Sequence, residues 1–224
     1  MKQLKLSERL RTAAHYVRSG AVVADVGTDH GYIPIYLIKQ GIARLAVASD
    51  INEGPISRAR ENISFFELDD KIITYVANGL DGIEKHAPTD ILICGMGGEL
   101  IAEIIEKSNY AKKTGINLIL QPMTSAFELR SYLKNGFKII DESLVFEDGK
   151  FYQIICATYD GEVRSYNDEE LELGEVNIKK KTPVFKEFLD FMIAKKTKIK
   201  LGLALGGCDT SNIEKEIERM EKLK

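Results

Sequence analysis

Apolar runs of the length of a buried strand alternate with amphipathic stretches through the first 135 residues or so of the chain. An initial helix from Ser7, as its N-cap, to about Val17 is predicted by apolar residues at helical spacing. The apolar runs predict strands near 21–26, 45–50, 72–76, 90–94 and 116–121. The stretches between them predict helices near 32–40, 54–64, 97–107 and 125–134. Such alternation predicts a parallel sheet with right-handed crossovers and helices on both faces.

The alternation ends at two strand-like runs, Phe137 to Phe146 and Phe151 to Tyr159. They are joined by Glu147-Asp148-Gly149-Lys150, and an Asp-Gly pair between apolar runs is a strong hairpin signal. The predicted fold is therefore α/β, with a mostly parallel seven-stranded sheet that ends in an antiparallel hairpin. Such an ending is expected of Rossmann-like class I methyltransferases, whereas plain dinucleotide-binding folds do not need it.

The last part of the chain has a different pattern. An acidic stretch from Tyr166 to Glu175 predicts a domain boundary near residue 160, which gives domains 1–160 and 161–224. Apolar residues then recur at helical spacing on both sides of Gly206-Gly207, at Phe185, Phe188, Leu189, Met192, Ile199, Leu203, Ile213, Ile217, Met220 and Leu223. We expect an antiparallel, coiled-coil-like helical pair that buries these residues.

The turn after the first predicted strand, Gly27-Thr28-Asp29-His30-Gly31, indicates a nucleoside-cofactor site. Its glycines allow backbone N–H groups to approach a ligand, and Asp50, which ends the next strand, can accept both hydroxyls of a ribose. A dinucleotide fingerprint has glycine where this turn has Asp29, and a carboxylate there would repel a pyrophosphate. Asp25 and Asp29 instead favour the sulfonium and ammonium groups of S-adenosylmethionine. Alternatively, the glycines only shape the turn and Asp29 caps the helix.

Composition narrows the classes of protein to consider. The 224 residues, 44% of them hydrophobic, can form one ordinary core with an appendage. No apolar run approaches a membrane span and the chain does not start like a secretory signal, so we expect a cytoplasmic protein without a membrane partner. Cys94, Cys156, Cys208 and the three histidines form no metal-ligand pattern, so we expect no metal.

Basic residues are concentrated in two segments, although the net charge is −3. The segment from Met1 to Ala24 contains five basic residues and one acidic residue. The segment from Val176 to Cys208 contains eight lysines and two acidic residues. Both segments could contact phosphates of a nucleic acid, and the candidates in the second are Lys195, Lys196, Lys198 and Lys200. The alternative is a solvated helix face without a specific partner.

Two further glycine-containing turns follow predicted strands. Asn78-Gly79 comes after the third strand, where class I methyltransferases place a side chain that reads the cofactor adenine; Asn78 is otherwise a turn residue. Gly95-Met96-Gly97-Gly98 follows the fourth strand, and three glycines in four residues favour a close approach to a flat ligand. Enzymes that methylate an exocyclic amine usually have an Asp/Asn-Pro-Pro-aromatic cradle there. Its absence favours a ring nitrogen such as adenine N1, which needs positioning more than a strong base.

Taken together, the motifs resemble the bacterial tRNA adenine-N1 methyltransferases of the TrmK family, along essentially the whole chain. The resemblance implies methyl transfer from S-adenosylmethionine to N1 of the adenine at tRNA position twenty-two, in the D arm. The matching segments, in chain order, are Leu6-Ser7-Glu8-Arg9-Leu10, Asp25 to Pro34, Gly95-Met96-Gly97-Gly98, Gln121-Pro122 and Gly149-Lys150-Phe151-Tyr152.

The resemblance also implies roles for individual residues. Asp29 and His30 become candidates for the reacting centre, although His30 could instead face the core or cap a helix. Arg9, Gln121 and Pro122 are assigned to the substrate side, with Arg9 reaching the cofactor carboxylate, a phosphate, or only a surface acid. Met123 stands where the family more often has asparagine. The cofactor is assigned to Asp25, Gly27, Gly31, Asp50, Ile51, Asn78, Gly79, Gly95 and Met96.

Two other functions remain open at the level of sequence. A small-molecule methyltransferase on the same fold would not need the basic segments. A noncatalytic tRNA-binding protein could keep the cofactor pocket for stability alone.

Overall fold

The computed structural model describes residues 4–224 and contains the predicted alternation of strands and helices. The five parallel strands are β1 Ala21–Val26, β2 Ala43–Asp50, β3 Ile72–Val76, β4 Asp90–Gly97 and β5 Asn117–Thr124. The hairpin consists of β6 Asn135–Glu147 and β7 Lys150–Val163. The helices around the sheet are α1 Glu8–His15, α2 Tyr32–Lys39, α3 Glu53–Phe65, α4 Gly98–Glu106 and α5 Ala126–Leu133, with a 3-10 turn at Ile83–His86.

The seven strands form one sheet in the order β3-β2-β1-β4-β5-β7-β6. The first five are parallel, and β7 runs antiparallel between β5 and β6. Every residue of β1 is buried, as expected for a strand covered by helices on both faces. The chain winds in opposite directions from β1 and β4, so their carboxyl ends border the crevice where open α/β sheets bind ligands.

Helix α1 is attached to the hairpin, far away in sequence. The Ser7 hydroxyl accepts a hydrogen bond from the Leu10 N–H, which confirms the predicted N-cap, but the helix ends at His15 and not near Val17. The Glu147 carboxylate accepts the backbone N–H groups of Glu8 and Arg9, at 2.7 and 3.4 Å. The Tyr16 hydroxyl lies 2.7 Å from the Ser143 hydroxyl of β6. These contacts fix the position of Arg9.

The described residues divide into two units, one up to Arg164 and one from Ser165. The predicted boundary near 160 lies within β7, which continues to Val163. The second unit contains the expected helical pair, α7 Pro183–Leu205 and α8 Ser211–Glu221. It also contains a π-helical turn at Glu170–Gly174 and helix α6 Glu175–Lys180, neither of which the sequence pattern predicts.

Ion pairs between α7 and the α8 segment run in antiparallel order, Asp190 to Lys224, Lys196 to Glu216 and Lys200 to Glu214. Phe185, Phe188, Leu189, Met192 and Met220 are buried as predicted. Ile199 is 46% exposed, so its prediction as a core residue is wrong. Two helices packed only against each other leave apolar side chains on their outer faces uncovered. In this unit the π-helical turn adds the buried Leu171 and Leu173 to the core.

Candidate functional site

A cleft of about 300 Å³ opens at the carboxyl ends of β1 and β4. Six of the residues that the sequence assigns to cofactor, catalysis or substrate line it together. These are Arg9, Asp25, Gly27, Asp29, His30 and Gly95. Tyr32 and Cys94 line it as well.

The β1–α2 turn is shaped by glycines with left-handed backbone. Gly27 has φ +77°, a left-handed conformation that favours glycine, and a Cβ at this position would also force the flexible Met96 side chain, whose methyl carbon would lie 2.0 Å away, to shift. Gly31 has φ +67° and is itself the N-cap of α2, while its N–H donates to the Thr28 hydroxyl at 3.2 Å. The alternative in which Asp29 caps this helix is therefore wrong.

Asp25 is a buried carboxyl at the floor of the cleft, 5% exposed. Burial raises the pKa of Asp25 to about 6, and a hydrogen bond with Thr28 opposes this only in part. Burial is the main reason why the pKa of the neighbouring Cys94 thiol is raised. The negative charge of Asp25 raises this pKa further, and the positive charge of Arg9 lowers it. A carboxyl that is costly to ionise in the free protein is suited to receive a cation, because the cation then stabilises the ionised form.

Asp29 stands at the rim, with a different partner near each carboxylate oxygen. Oδ1 accepts from the Arg58 guanidinium at 2.5 Å, and Oδ2 lies 3.1 Å from His30 Nε2. The hydrogen bond from Arg58 is the main reason why the pKa of Asp29 is below its ordinary value. The His30 ring stacks on Tyr32, with centroids 5.0 Å apart and an angle of 12° between the planes. His30 therefore faces the cleft, not the core.

Sequence reasoning missed Tyr32 and Arg58. Tyr32 is 39% exposed and presents an aromatic face beside the two candidate catalytic residues. Its place directly after Gly31 was a usable signal, since a residue that begins a helix at a sheet edge borders the ligand crevice. Arg58 gave no such signal, because its partner lies 29 residues away.

The residues assigned to ribose and adenine lie farther along the same sheet edge. Asp50 ends β2 and accepts the Asn52 N–H at 2.8 Å, which orients its carboxylate. Ile51 is 60% exposed. Asn78 and Gly79 line a second cleft of about 410 Å³, together with residues of α4 that include Leu100, Glu103 and Ile104. The predicted cofactor residues are thus divided between two clefts.

Gln121 and Pro122 are buried in β5 and do not face solvent. The Gln121 side-chain oxygen accepts from the Gly95 N–H at 3.1 Å and from the Arg9 guanidinium, while its amide donates to the Pro122 carbonyl at 2.8 Å. The Arg9 guanidinium also lies 5.3 Å from the centre of the Tyr152 ring. This geometry favours Gln121 as a support for Arg9 and Gly95 over direct contact with a substrate.

The N-terminal ends of α4 and α5, which directly follow β4 and β5, come close to each other at the backbone. A Cβ on Gly98 would lie 2.1 Å from the Ser125 carbonyl oxygen, whereas a Cβ on Gly97 would meet only the Thr124 hydroxyl at 3.4 Å. Ser125 has φ +56°, an unusual conformation for a residue with a side chain. Because Gly98 has no side chain, the backbone at Ser125 can come this close to it. The exposed Met123 lies two residues before Ser125 in the chain.

The four candidate lysines of α7 have two different environments. Lys196 is 13% exposed at its side chain and pairs with Glu172 and Glu216, at 2.9 and 2.8 Å. These carboxylates raise the pKa of Lys196 although burial lowers it. Lys200 pairs with Glu214 at 3.0 Å. Lys195 and Lys198 are exposed, so they are the better candidates for contact with a phosphate.

The cleft at the carboxyl ends of β1 and β4 is suited to hold an organic cation next to a flat ring. Two carboxylates, glycine backbone and an exposed aromatic stack meet at one edge of the sheet. Within residues 4–224, no group of three His, Cys, Asp or Glu side chains could hold a metal ion. In the same part of the chain no helix has the length and apolar character to cross a membrane.

Comparison with known proteins identifies the family. Residues 6–155 match the family model described as "Methyltransferase domain". The tRNA (adenine(22)-N(1))-methyltransferase of Bacillus subtilis strain 168 is 38% identical over 175 residues, which are 78% of this chain and 74% of that protein.

Solved structures cover nearly the whole chain. A Streptococcus pneumoniae protein in complex with S-adenosyl-L-methionine matches with a TM-score of 0.85 at 32% identity, over 98% of this chain and 99% of that one. M. capricolum TrmK in complex with S-adenosyl-homocysteine matches with a TM-score of 0.78 at 29% identity, over 97% and 96% of the two chains. The chain therefore belongs to the family of S-adenosylmethionine-dependent methyltransferases that contains the B. subtilis tRNA (adenine(22)-N(1))-methyltransferase.

Proposed function

We propose that this protein transfers a methyl group from S-adenosylmethionine to N1 of the adenine at position 22 of tRNA. One observation carries the proposal beyond family membership. Asp25 and Asp29, which favour a cation, lie in the same cleft as the exposed His30–Tyr32 stack, which offers a platform for a nucleobase. A tRNA substrate is met in the cytoplasm, where we expect the protein to act.

The residues present fit the cofactor. Asp25 and Asp29 favour its positive charges, Asp50 is oriented to accept ribose hydroxyls, and the glycine at position 27 keeps the turn open to its methionine part. Ile51, Asn78 and Gly79 are assigned to the adenosine end of the cofactor, and Gly31, Gly95 and Met96 are assigned to the cofactor as well. S-adenosylmethionine supplies an electrophilic methyl group, so this chain needs no covalent nucleophile of its own.

For the target adenine, the protein has to position N1 and stabilise the positive charge that methylation creates. N1 lies on the pairing edge of the base, so the adenine has to turn out of its stack to enter the cleft, and Tyr32 can receive its face. Asp29 can accept the adjacent exocyclic amine, because a carboxylate has about four lone-pair sites and Arg58 and His30 occupy two of them. The direct displacement then needs alignment of N1 about 3 to 3.5 Å from the methyl carbon.

The experiment that tests this function uses two unmodified tRNA transcripts that differ only at position 22, adenine in one and guanine in the other. After incubation with methyl-labelled cofactor, we expect 1-methyladenosine from the first transcript and no label in the second. Nucleoside standards separate this product from N6-methyladenosine, whose formation would contradict N1 transfer. Binding of tRNA without any transfer would favour a noncatalytic protein, and transfer only to small molecules would favour a small-molecule enzyme.

We further propose that Lys195 and Lys198 contact the tRNA backbone. Replacement of both by alanine is expected to flatten the slope of log affinity against log salt by roughly 1 to 2 units, since each neutralised phosphate contributes slightly less than one. The matched control replaces Lys196 and Lys200 on the same helix, which removes the same charge from residues engaged by glutamates. An equal change of slope in both double variants would show that only net charge matters.

A further inference from the structure

One face of α3 holds the turn that carries Asp29. Arg58 reaches the Asp29 carboxylate, and one helical turn later the Asn62 amide donates to the His30 carbonyl at 3.0 Å. Between them, Ala59 packs against Gly31, where an added Cβ would lie 3.4 Å from the Ala59 Cβ. Asn62 and Ala59 thus fix the backbone of the turn, and Arg58 is the residue that acts on the side chain.

The contact of Arg58 with Asp29 restricts the carboxylate. An exposed aspartate can rotate about its two side-chain bonds, but here one oxygen faces Arg58 and the other faces His30. The lone pairs that remain therefore point in defined directions. Ordering this group before substrate arrives lowers the entropy that has to be lost in the transition state.

A contribution to the stability of the fold does not explain the ion pair between Arg58 and Asp29. Both side chains are about half exposed, 48% for Arg58 and 61% for Asp29, and ion pairs this exposed contribute little to the free energy of unfolding. The same helix carries a second pair of almost identical character, in which Arg60 contacts Glu53 at 2.5 Å with exposures of 48% and 63%. The two arginines differ in their partners, since Asp29 lines the cleft and Glu53 is not among its lining residues.

We propose that Arg58 is a positioning residue for methyl transfer, which holds the Asp29 carboxylate in the orientation that receives the target base. The proposal rests on the proposed function and on the role of Asp29 in it. Arg58 contacts neither the cofactor nor the target atom, and it acts only through Asp29. If Arg58 instead bound a tRNA phosphate directly, its role would be in substrate binding, and its replacement would raise KM for tRNA.

The test is a double-mutant cycle on the full-length protein with the adenine-22 transcript, measuring kcat and KM at saturating cofactor. Arg58→Gln is expected to lower kcat about tenfold with KM for tRNA changed less than about twofold, because the defect lies in alignment and not in binding. In an Asp29→Asn background the same replacement is expected to have no further effect on kcat. Arg60→Gln is the matched control and is expected to leave both constants unchanged.

Arg58→Lys separates geometry from charge. Lysine keeps the positive charge but has no planar fork, so we expect partial recovery of kcat relative to Arg58→Gln. A rise in KM and a flatter salt dependence in Arg58→Gln, present equally in the Asp29→Asn background, would assign Arg58 to a tRNA phosphate and overturn the proposal. Unchanged kcat in Arg58→Gln would overturn it too. Failure of the proposed function itself is recognised separately, because the unaltered protein would then form no 1-methyladenosine.

Discussion

Asp25→Asn is expected to stabilise the free protein at neutral pH while weakening its affinity for S-adenosylmethionine. Burial raises the pKa of Asp25 to about 6, from an ordinary value of 3.8, so keeping this carboxylate ionised costs folding free energy. The cost is absent below pH 4, grows between pH 4 and 6, and is complete above pH 6. Asparagine keeps a partner for Thr28 without the charge, so the free energy of unfolding should rise by about 3 kcal/mol at pH 7.5.

Denaturant unfolding at pH 7.5 and pH 4.5 checks the stability half of this prediction, and the gain should fall to about a third at the lower pH, where Asp25 is mostly protonated in the folded protein. Asp70→Asn, which alters an exposed aspartate in the turn before β3, serves as the control and should change little at either pH. A loss of stability in Asp25→Asn at pH 7.5 would contradict the argument.

Calorimetry checks the binding half. In the unaltered protein, cofactor affinity should rise with pH up to about 6 and then level off, because a bound cation favours the ionised Asp25 and a proton is released. Asp25→Asn should bind at least about tenfold more weakly at pH 7.5 and should lack the proton release that the unaltered protein shows near and below pH 6. An unchanged affinity would remove Asp25 from the cofactor site.

Gly98→Ala is expected to reduce methyl transfer by about a hundredfold, the size of effect that a misplacement of roughly 1 Å produces. The new Cβ would overlap the Ser125 carbonyl oxygen, at 2.1 Å, and neither group can escape by a side-chain rotation. The start of α5 would have to move away from the start of α4. Overpacking of this kind also costs about 1 to 3 kcal/mol of stability.

Gly97→Ala is the matched control. Gly97 has φ −66°, and its added Cβ would make an ordinary contact at 3.4 Å. We expect single-turnover rates and melting temperature close to those of the unaltered protein. Equal losses in the two variants would mean that the contact between Gly98 and Ser125 does not shape the substrate side of the cleft.

The strand-helix alternation and the hairpin could be predicted from sequence because their signals are local, a period of residues or an Asp-Gly turn. The same holds for the residues around the cleft that follow strands β1 and β4, since parallel strands bring their carboxyl ends to one edge. The sequence could not distinguish the roles of two adjacent residues that are the same amino acid. Gly97 and Gly98 differ only in a contact with residue 125, and Lys195 and Lys196 differ only in glutamates at 172 and 216.

Gln121 illustrates a second limit. Its position in a family motif indicated a polar residue near the substrate, but burial depends on how far β5 extends, and the strand continues to Thr124. Arg58 illustrates a third, because an exposed arginine on a helix has many possible partners until the fold places Asp29 beside it. Roles that depend on contacts between distant segments need the structure.

The order of strands in the hairpin has a consequence for synthesis on the ribosome. The edge strand β6 is joined to the sheet only through β7, which is made after it, and α1, the first helix to be made, docks on β6 through Tyr16 and Glu147. The nascent chain therefore cannot place Arg9 until β7 has emerged, although β1 to β5 can already pair. The cleft is completed late, by contacts of high sequence separation, which slow folding and postpone the ability to bind cofactor.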